Sequence, residues 1–152
     1  MAIRYIVKEG DEVLTKKCRP VTVFDDRLRQ LEEDMKETLF DAEGLGLAAP
    51  QVGVLKRMAV VMDEDGTIYT LVNPEILSAK GRQEAREGCL SVPGVWGRTM
   101  RPAKVKVRAF DVQGKEFVLE KTGITAVCLC HEIDHLDGIL FRSRVIEYVD
   151  MD

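Results

Sequence analysis

The segment His131-Glu132-Ile133-Asp134-His135 places two imidazoles four residues apart with a carboxylate beside the first. On a helix, such residues share one face, so both rings can bind one divalent metal while Glu132 faces whatever the metal activates. These are the only histidines among the 152 residues, so the arrangement is rare by composition. The alternative is a charged, solvated helix without chemistry. The pattern therefore indicates a metal site.

A catalytic metal site needs a third protein ligand and an open position for water. No third histidine exists. Asp137, two residues past His135, faces elsewhere on the helix, and the remaining downstream carboxylates lie near the end of the sequence: Glu147, Asp150 and Asp152. An upstream thiolate is the other candidate, and Cys89, between a glycine and a nearby proline, is the best placed. Sulfur beside two imidazoles suits Zn, Fe or Co, whereas a buried cysteine can also be a small core residue.

Residues 44–51 form a third unusual stretch, Gly-Leu-Gly-Leu-Ala-Ala-Pro-Gln, whose glycines allow backbone to approach a ligand closely. The spacing is neither the dinucleotide fingerprint nor a P-loop. A tight loop entering a buried strand would explain the glycines equally well. Gln51 favours a functional interpretation, because a rigidly held side-chain amide can donate a hydrogen bond to an oxyanion.

The elements that must position these groups can be predicted from periodicity. After Asp25 and Asp26, apolar residues recur at helical spacing until Gly44, which predicts a surface helix. Residues 3–7 predict a short strand. Hairpins are predicted where residues 57–62 meet 67–72 and where residues 104–110 meet 117–119. From Ile124 the spacing is helical again and ends at Gly138, so the histidines lie on a core-facing helix.

The composition indicates one domain spanning residues 1–152, because 45% apolar residues suffice for a single core. A net charge of −4 argues against a nucleic-acid partner, and residues 98–106 are interpreted as a strand with alternating solvated charges. No segment has the apolar length of a membrane helix or secretory signal, which predicts a cytoplasmic protein. The four cysteines are therefore expected to be free thiols or ligands.

Together, residues 44–51, 87–91 and 131–135 resemble the three signatures of the peptide deformylase family. These are a Gly-x-Gly-x-Ala-Ala-x-Gln loop, a Glu-Gly-Cys-Leu-Ser strand and a His-Glu-x-x-His helix, and they occur in the family's order. The resemblance covers nearly the whole chain, including Asn73-Pro74 and Arg101-Pro102. It implies an α+β fold in which small antiparallel β-sheets surround a central helix carrying the HExxH motif.

The resemblance also implies a reaction. Cys89, His131 and His135 would hold one divalent metal, with Fe(II) favoured and Zn, Ni or Co compatible. Glu132 would take a proton from metal-bound water and later pass it to the departing amine. The substrate would be the N-formylmethionyl peptide of a nascent chain, which implies transient proximity to the ribosome, and formate would be released.

The remaining implied roles concern the oxyanion and the methionine side chain. Gln51 and the backbone N–H of Leu90 would stabilise the oxyanion. The residues implied to line or border the methionine pocket, which could equally be plain core, are Leu45, Gly46, Ile124, Val127 and Cys128.

Two positions depart from the family pattern. Cys130 stands where many relatives carry glutamine, so it is either a packing residue or an oxidation liability near the metal. Trp96 occupies a region where many relatives place an arginine, so stacking, apolar contact or simple packing is expected there. Two other functions remain open: a peptidase with a carboxylate as third ligand, and a noncatalytic module stabilised by metal.

Overall fold

The computed structural model describes residues 2–150 and has two α-helices in that range, α1 (Asp26–Asp41) and α2 (Gly123–Leu136). Short 3-10 helices cover Glu12–Thr15, Ala49–Val52 and Phe141–Arg144. The strands are β1 (Gly46–Ala48), β2 (Met58–Met62), β3 (Ile68–Lys80), β4 (Gln83–Cys89), β5 (Val92–Arg101), β6 (Lys104–Phe110), β7 (Glu116–Thr122) and β8 (Val145–Val149).

Within residues 2–150, the strands form two antiparallel sheets. One has the order β1-β2-β3-β6-β7, and the other has the order β4-β5-β8. Helix α2 contacts β1, β2, β6 and β7 of the first sheet and β4 of the second. The predicted α+β class with antiparallel sheets is thus confirmed. Among the strands of residues 2–150, β1 and β4 are edge strands, so each has one backbone edge that no other described strand covers.

Helix α1 begins where the sequence predicted. The Asp25 carboxylate accepts a hydrogen bond of 3.1 Å from the Leu28 N–H and so caps the first turn. The apolar positions at helical spacing are fully buried or nearly so: Leu28, Leu31, Met35 and Leu39. They pack on Leu47, Met58 and Val60 in one core cluster, which anchors α1 on the first sheet.

Both predicted hairpins are confirmed. Strands β2 and β3 pair from Met58 with Val72 to Met62 with Ile68, although β3 continues to Lys80, farther than predicted. Strands β6 and β7 pair along their whole length, and the alternating residues of β6 (Val105, Val107 and Ala109) are buried. They form a second core cluster with α2 residues that include Ala126, Leu129 and Ile133. This packing fixes the buried face of α2.

The predicted strand at residues 3–7 is wrong. Ala2 and Arg4 donate their backbone N–H groups to side chains of α1, the Asp34 carboxylate (2.8 Å) and the Thr38 hydroxyl (2.9 Å), and the Val7 N–H donates to the backbone oxygen of Gln51 (2.7 Å). Residues 3–7 therefore belong to none of the strands that the structure describes within residues 2–150. Residues whose backbone groups are satisfied by side chains can look like a strand in sequence.

The charges of residues 98–106 are largely paired. Arg98 lies within 3.6 Å of both Glu84 and Glu147, and Lys104 pairs with Glu120 at 2.6 Å. Arg101 is buried, which differs from the solvated strand predicted. In the part of the chain that is described, neither helix has the length and apolar character needed to cross a membrane.

Candidate metal centre

Three side chains from two elements of the fold lie close together. Cys89 ends β4, and His131 and His135 lie one turn apart on α2. Their potential ligand atoms all lie within 4.8 Å of one another, and Cys89 Sγ is 3.3 Å from His135 Nε2. Both imidazoles are buried, and the thiol is half-buried. A sulfur with two ring nitrogens matches the donors that Zn, Fe, Co and Ni accept.

The carboxylates considered as alternative ligands lie in other environments. Asp137 Oδ1 accepts a hydrogen bond of 2.9 Å from Arg57, and Glu147 pairs with Arg98. Asp150 is exposed just after β8, and Asp152 lies outside the described residues. Across residues 2–150, Cys89, His131 and His135 make up the one group of Cys, His, Asp or Glu side chains close enough to share a metal.

A buried carboxylate orients the first histidine. Glu87 Oε1 lies 2.8 Å from His131 Nδ1, so the other ring nitrogen, Nε2, is left for a metal. Arg101 donates two hydrogen bonds to Glu87, at 2.7 and 2.8 Å, and the Thr99 hydroxyl donates a third. Burial alone would raise the pKa of Glu87, but these bonds and the one from His131 lower it to about 2. Glu87 is therefore an anion beneath the metal site.

The same network continues away from the site. Arg101 also donates to Asp134 at 2.8 Å, and Asp134 accepts two hydrogen bonds of 3.1 Å from Arg144. No role was predicted from the sequence for Glu87, Arg101 or Asp134. Glu87 lies in the Glu-Gly-Cys-Leu-Ser motif and Asp134 in the His-Glu-x-x-His motif, and this position was the signal that the sequence offered. No local pattern identifies Arg101 as the partner that both carboxylates share.

The pKa values of the buried groups indicate which charge the site favours. Burial alone would lower the pKa of His131, but the charge of Glu132 and hydrogen bonds with Cys89 and Glu87 raise it to about 10. Burial, followed by the charge of His131, lowers the pKa of His135 to about 3. The surroundings of His131 thus stabilise a positive charge, which a divalent cation would also supply.

Glu132 points into the same site. Its carboxylate is buried, and its Oε1 has no hydrogen-bond partner within residues 2–150. Burial raises its pKa to about 7, against the attraction of His131. The other oxygen packs against Gly46, where a Cβ atom would lie 2.5 Å from Oε2 and 2.9 Å from Cγ. Gly46 therefore provides the space that this carboxylate occupies.

Gln51 is held in one orientation. Its Oε1 accepts a hydrogen bond of 2.9 Å from the Ala48 N–H, which requires that the amide nitrogen face the other way. That nitrogen lies 3.1 Å from Ser91 Oγ and 3.6 Å from Cys89 Sγ. Gln51 lies on the short helix Ala49–Val52 and is 1% exposed, so this donor is fixed beside Cys89.

Leu90 follows Cys89 in the two-residue turn between β4 and β5, where Cys89 pairs with Val92. In such a turn, the closing hydrogen bond joins the outer residues and leaves the first inner N–H available to another acceptor. The residue is half-buried and lines the cavity. The Leu90 backbone therefore lies directly beside Cys89 at the cavity.

These groups open onto a cavity of about 810 Å³ between the edge strands β1 and β4. Gln51, Cys89, His131 and Glu132 are among the polar residues that line it. All five residues expected at the methionine pocket line it: Leu45, Gly46, Ile124, Val127 and Cys128. Val127 is buried and Cys128 half-buried, whereas Leu45 and Ile124 are about half exposed at the mouth.

Cys130 faces away from this cavity. It is 5% exposed and packs in the second core cluster with Val105 and Val107. Burial raises the pKa of its thiol to about 11, which disfavours the reactive thiolate. These features favour the packing role, and the oxidation hypothesis stays untested.

The chain is similar to known peptide deformylases in sequence and in fold. The profile of the polypeptide deformylase family matches residues 3–150. A peptide deformylase of Caldicellulosiruptor bescii is 56% identical over 98% of this chain and 89% of the relative. That of Acetivibrio thermocellus is 51% identical over 100% of this chain and 89% of the relative. A crystal structure of a peptide deformylase from Legionella pneumophila has a TM-score of 0.91 at 47% identity, covering 95% of this chain and 86% of that chain.

Proposed function

The chain belongs to the polypeptide deformylase family, and on that basis we propose that it removes the formyl group from N-formylmethionyl nascent peptides. It is an enzyme, a metal-dependent hydrolase that breaks a formamide C–N bond and releases formate. The observation that carries this conclusion is the group Cys89, His131 and His135, of which Cys89 and His131 line one cavity together with Glu132.

The donor set fits a divalent metal in charge and ligand type. Cys89, His131 and His135 would hold the ion, with α2 as the central helix of the fold. Such an ion is a Lewis acid that makes water easier to deprotonate near neutral pH. Family membership favours Fe(II), and the ligand types also suit Zn, Ni and Co.

Glu132 is the proposed proton carrier. Its Oε1 is buried and lacks a partner among the described residues, so it can accept a proton from water without first breaking another hydrogen bond. The other oxygen lies against Gly46, whose lack of a side chain leaves room for it. After the formyl carbon is attacked, the same carboxyl would give its proton to the amine that leaves.

Gln51 and Leu90 are proposed to stabilise the oxyanion. The Gln51 amide nitrogen and the Leu90 backbone N–H both lie near Cys89, and the first is locked by the Ala48 hydrogen bond. Donors that are already oriented need no reorganisation as negative charge develops, which is the main advantage of such a site.

The methionine side chain is proposed to enter the apolar part of the cavity. Val127 and Cys128 would form its base and Leu45 and Ile124 its entrance, while Gly46 leaves room beside Glu132. An apolar surface of this kind suits an unbranched thioether. The formyl group would then lie toward Cys89.

We also infer that the chain is a single catalytic domain, since one family match extends over residues 3–150. Because the proposed substrates are nascent chains, we infer that the protein acts in the cytoplasm and close to the ribosome.

The test is formate release from formyl-Met-Ala-Ser by protein prepared without oxygen and loaded with Fe(II). Metal-free protein and Glu132→Ala are the comparisons, and we expect both to lose at least 100-fold in turnover. Well-folded, metal-loaded protein that releases no formate would refute the proposal.

The third ligand separates this function from the peptidase alternative. We expect Cys89→Ala to lose the metal during dialysis, and Asp137→Asn, which alters a carboxylate paired with Arg57, to retain it. The opposite outcome would indicate a carboxylate ligand. If the protein were a noncatalytic module stabilised by metal, formate release by Glu132→Ala would be no lower than formate release by the unaltered protein.

A further inference from the structure

The indole of Trp96 packs on Gly88, the residue that immediately precedes Cys89. A Cβ atom at Gly88 would lie 2.8 Å from the ring atoms Cε3 and Cζ3 and 3.0 Å from Cη2, distances at which a methyl group would clash with the ring. The six-membered part of the indole therefore covers the Cα atom of Gly88. Of the roles expected for Trp96 from the sequence, the structure shows packing, and the surface packed on is backbone.

Strand β4 is weakly constrained by its own residues at this point. It is an edge strand among those described, and its pairing with β5 changes register between Glu87 and Cys89. Gly88 lies inside this irregularity and has no side chain to pack. Glycine loses more conformational freedom on folding than any other residue, and glycine inside a strand weakens it. The backbone at Gly88 is thus free to shift unless a neighbouring side chain covers it.

Both neighbours of Gly88 belong to the metal site. The Glu87 carboxylate is anchored by hydrogen bonds from Arg101 and Thr99. Cys89, in contrast, follows the register shift as the last residue of β4. The position of the Cys89 thiol therefore depends more on the Gly88 backbone than the position of the Glu87 carboxylate does.

Trp96 stands on a firmer support than the strand it covers. Strand β5 is the central strand of the sheet β4-β5-β8, and Trp96 pairs with Val149 of β8 on the side away from β4. The indole reaches back across β5 to Gly88. A side chain from the central strand thus packs on the least constrained residue of the edge strand.

We propose that Trp96 is a positioning residue, which covers the Gly88 backbone and so holds the Cys89 thiol where it can bind a metal together with the two histidines. This inference rests on the proposed role of Cys89 as a ligand. An aromatic ring over a glycine of an edge strand fixes backbone that the glycine leaves free. Ligands that are already in place lose less conformational entropy on binding.

Metal affinity measures this effect directly. Groups that support ligands from outside contribute about 10- to 100-fold in affinity, and packing on backbone should lie at the lower end of that range. In a Co(II) titration of metal-free protein against a competing chelator, we expect Trp96→Ala to bind about 10-fold more weakly and Trp96→Phe to keep most of the affinity. Met100→Ala is the matched control, because Met100 lies on the same strand with 38% exposure but does not line the cavity.

Gly88 offers the reciprocal variant. The methyl group of Gly88→Ala would displace the indole, so we expect it to weaken Co(II) binding about as much as Trp96→Ala does. Since both changes break one contact, the double variant Gly88→Ala/Trp96→Ala should bind no more weakly than either single variant. Losses that add in the double variant would refute the idea that the two residues act through each other.

The reactivity of the thiols in metal-free protein separates positioning from general loosening. If the indole holds Cys89 in place, Trp96→Ala should raise the rate at which iodoacetamide labels Cys89 by about 5-fold, because the local backbone opens more often. Cys18, which is 3% exposed and packs in another cluster, should be labelled no faster. Unchanged labelling of Cys89, or an equal rise at both cysteines, would overturn the proposal.

The outcomes also distinguish this proposal from the proposed function. Unaltered protein that binds no Co(II), or that binds it no better than Cys89→Ala, would refute Cys89 as a ligand and with it the proposed metal centre. Tight binding that depends on Cys89 but is unchanged in Trp96→Ala, or is weakened equally in Met100→Ala, would refute only the role of Trp96.

Discussion

The buried ion pair between Glu87 and Arg101 allows the sharpest quantitative prediction. Glu87 is 4% exposed and accepts hydrogen bonds from Arg101, Thr99 and His131. Glu87→Gln keeps the shape but removes the negative charge, and it replaces one acceptor by a donor. Arg101 would then be a buried cation whose remaining carboxylate partner in this network is Asp134.

The size of the effect follows both from the pKa of Glu87 and from the usual cost of breaking a buried ion pair. The pKa of Glu87 is lowered from 4.5 to about 2, which corresponds to about 3 kcal/mol in favour of the folded, ionised form. Removing one partner of a buried pair usually costs about 3–5 kcal/mol. We therefore expect Glu87→Gln to lower the free energy of unfolding by about 3 kcal/mol at pH 7. Since the pKa is lowered on folding, this contribution is fully present above pH 4.5 and is lost as the pH falls toward 2.

The assay is urea denaturation of metal-free protein at pH 7, followed by circular dichroism. The matched control is Glu75→Gln, because Glu75 also pairs with an arginine, Arg108 at 2.6 Å, but both side chains are 40% exposed or more. We expect this control to lose less than about 1 kcal/mol. Equal losses in the two variants would refute the reasoning that burial makes the Glu87 pair important.

The same variant should also weaken metal binding. His131 would lose the anion that orients its ring, and such outer partners typically contribute about 10- to 100-fold in affinity. A Co(II) titration against a competing chelator measures this, and an unchanged affinity would mean that Glu87 serves stability alone.

Three further predictions concern the site and its support. Gly46→Ala should lower kcat about 100-fold with an unchanged melting curve, because the new methyl group would displace the Glu132 carboxylate. A kcat within 5-fold of the original would refute this prediction. Asp63→Asn should lower the melting temperature at pH 7, because hydrogen bonds from Lys121 and Thr125 lower the pKa of Asp63 to about 2 and so stabilise the folded, ionised form. The difference in melting temperature between the variant and the unaltered protein should vanish between pH 4 and pH 2. A difference that does not depend on pH would contradict this prediction. Iodoacetamide should label Cys89 in metal-free protein and be blocked by excess Zn, as peptide mass analysis would show, and labelling that ignores Zn would argue against this thiol as a ligand.

Local patterns in the sequence were sufficient for the elements with one buried face. Both helices and both predicted hairpins follow from spacing of apolar residues, because periodicity alone decides which side chains share a face. The same rule placed His131 and His135 together on α2. Among the features it missed were residues 3–7, whose Arg4 and Val7 N–H groups bind a side chain of α1 and the backbone of Gln51, and the sheet β4-β5-β8. The sequence of β4 lacks an apolar buried face, because one of the residues that point inward is the charged Glu87.

Only the tertiary structure decided how the groups from separate segments meet. Glu87 and Arg101 are 14 residues apart, and Glu87 and His131 are 44 apart, so no local pattern relates them. Gly46 and Glu132 likewise come together only when β1 packs against α2. Residue types and local spacing determine which chemistry is available, because a helix repeats every 3.6 residues. Long-range contacts determine which partner each buried charge finds, because that depends on how sheets and helices pack.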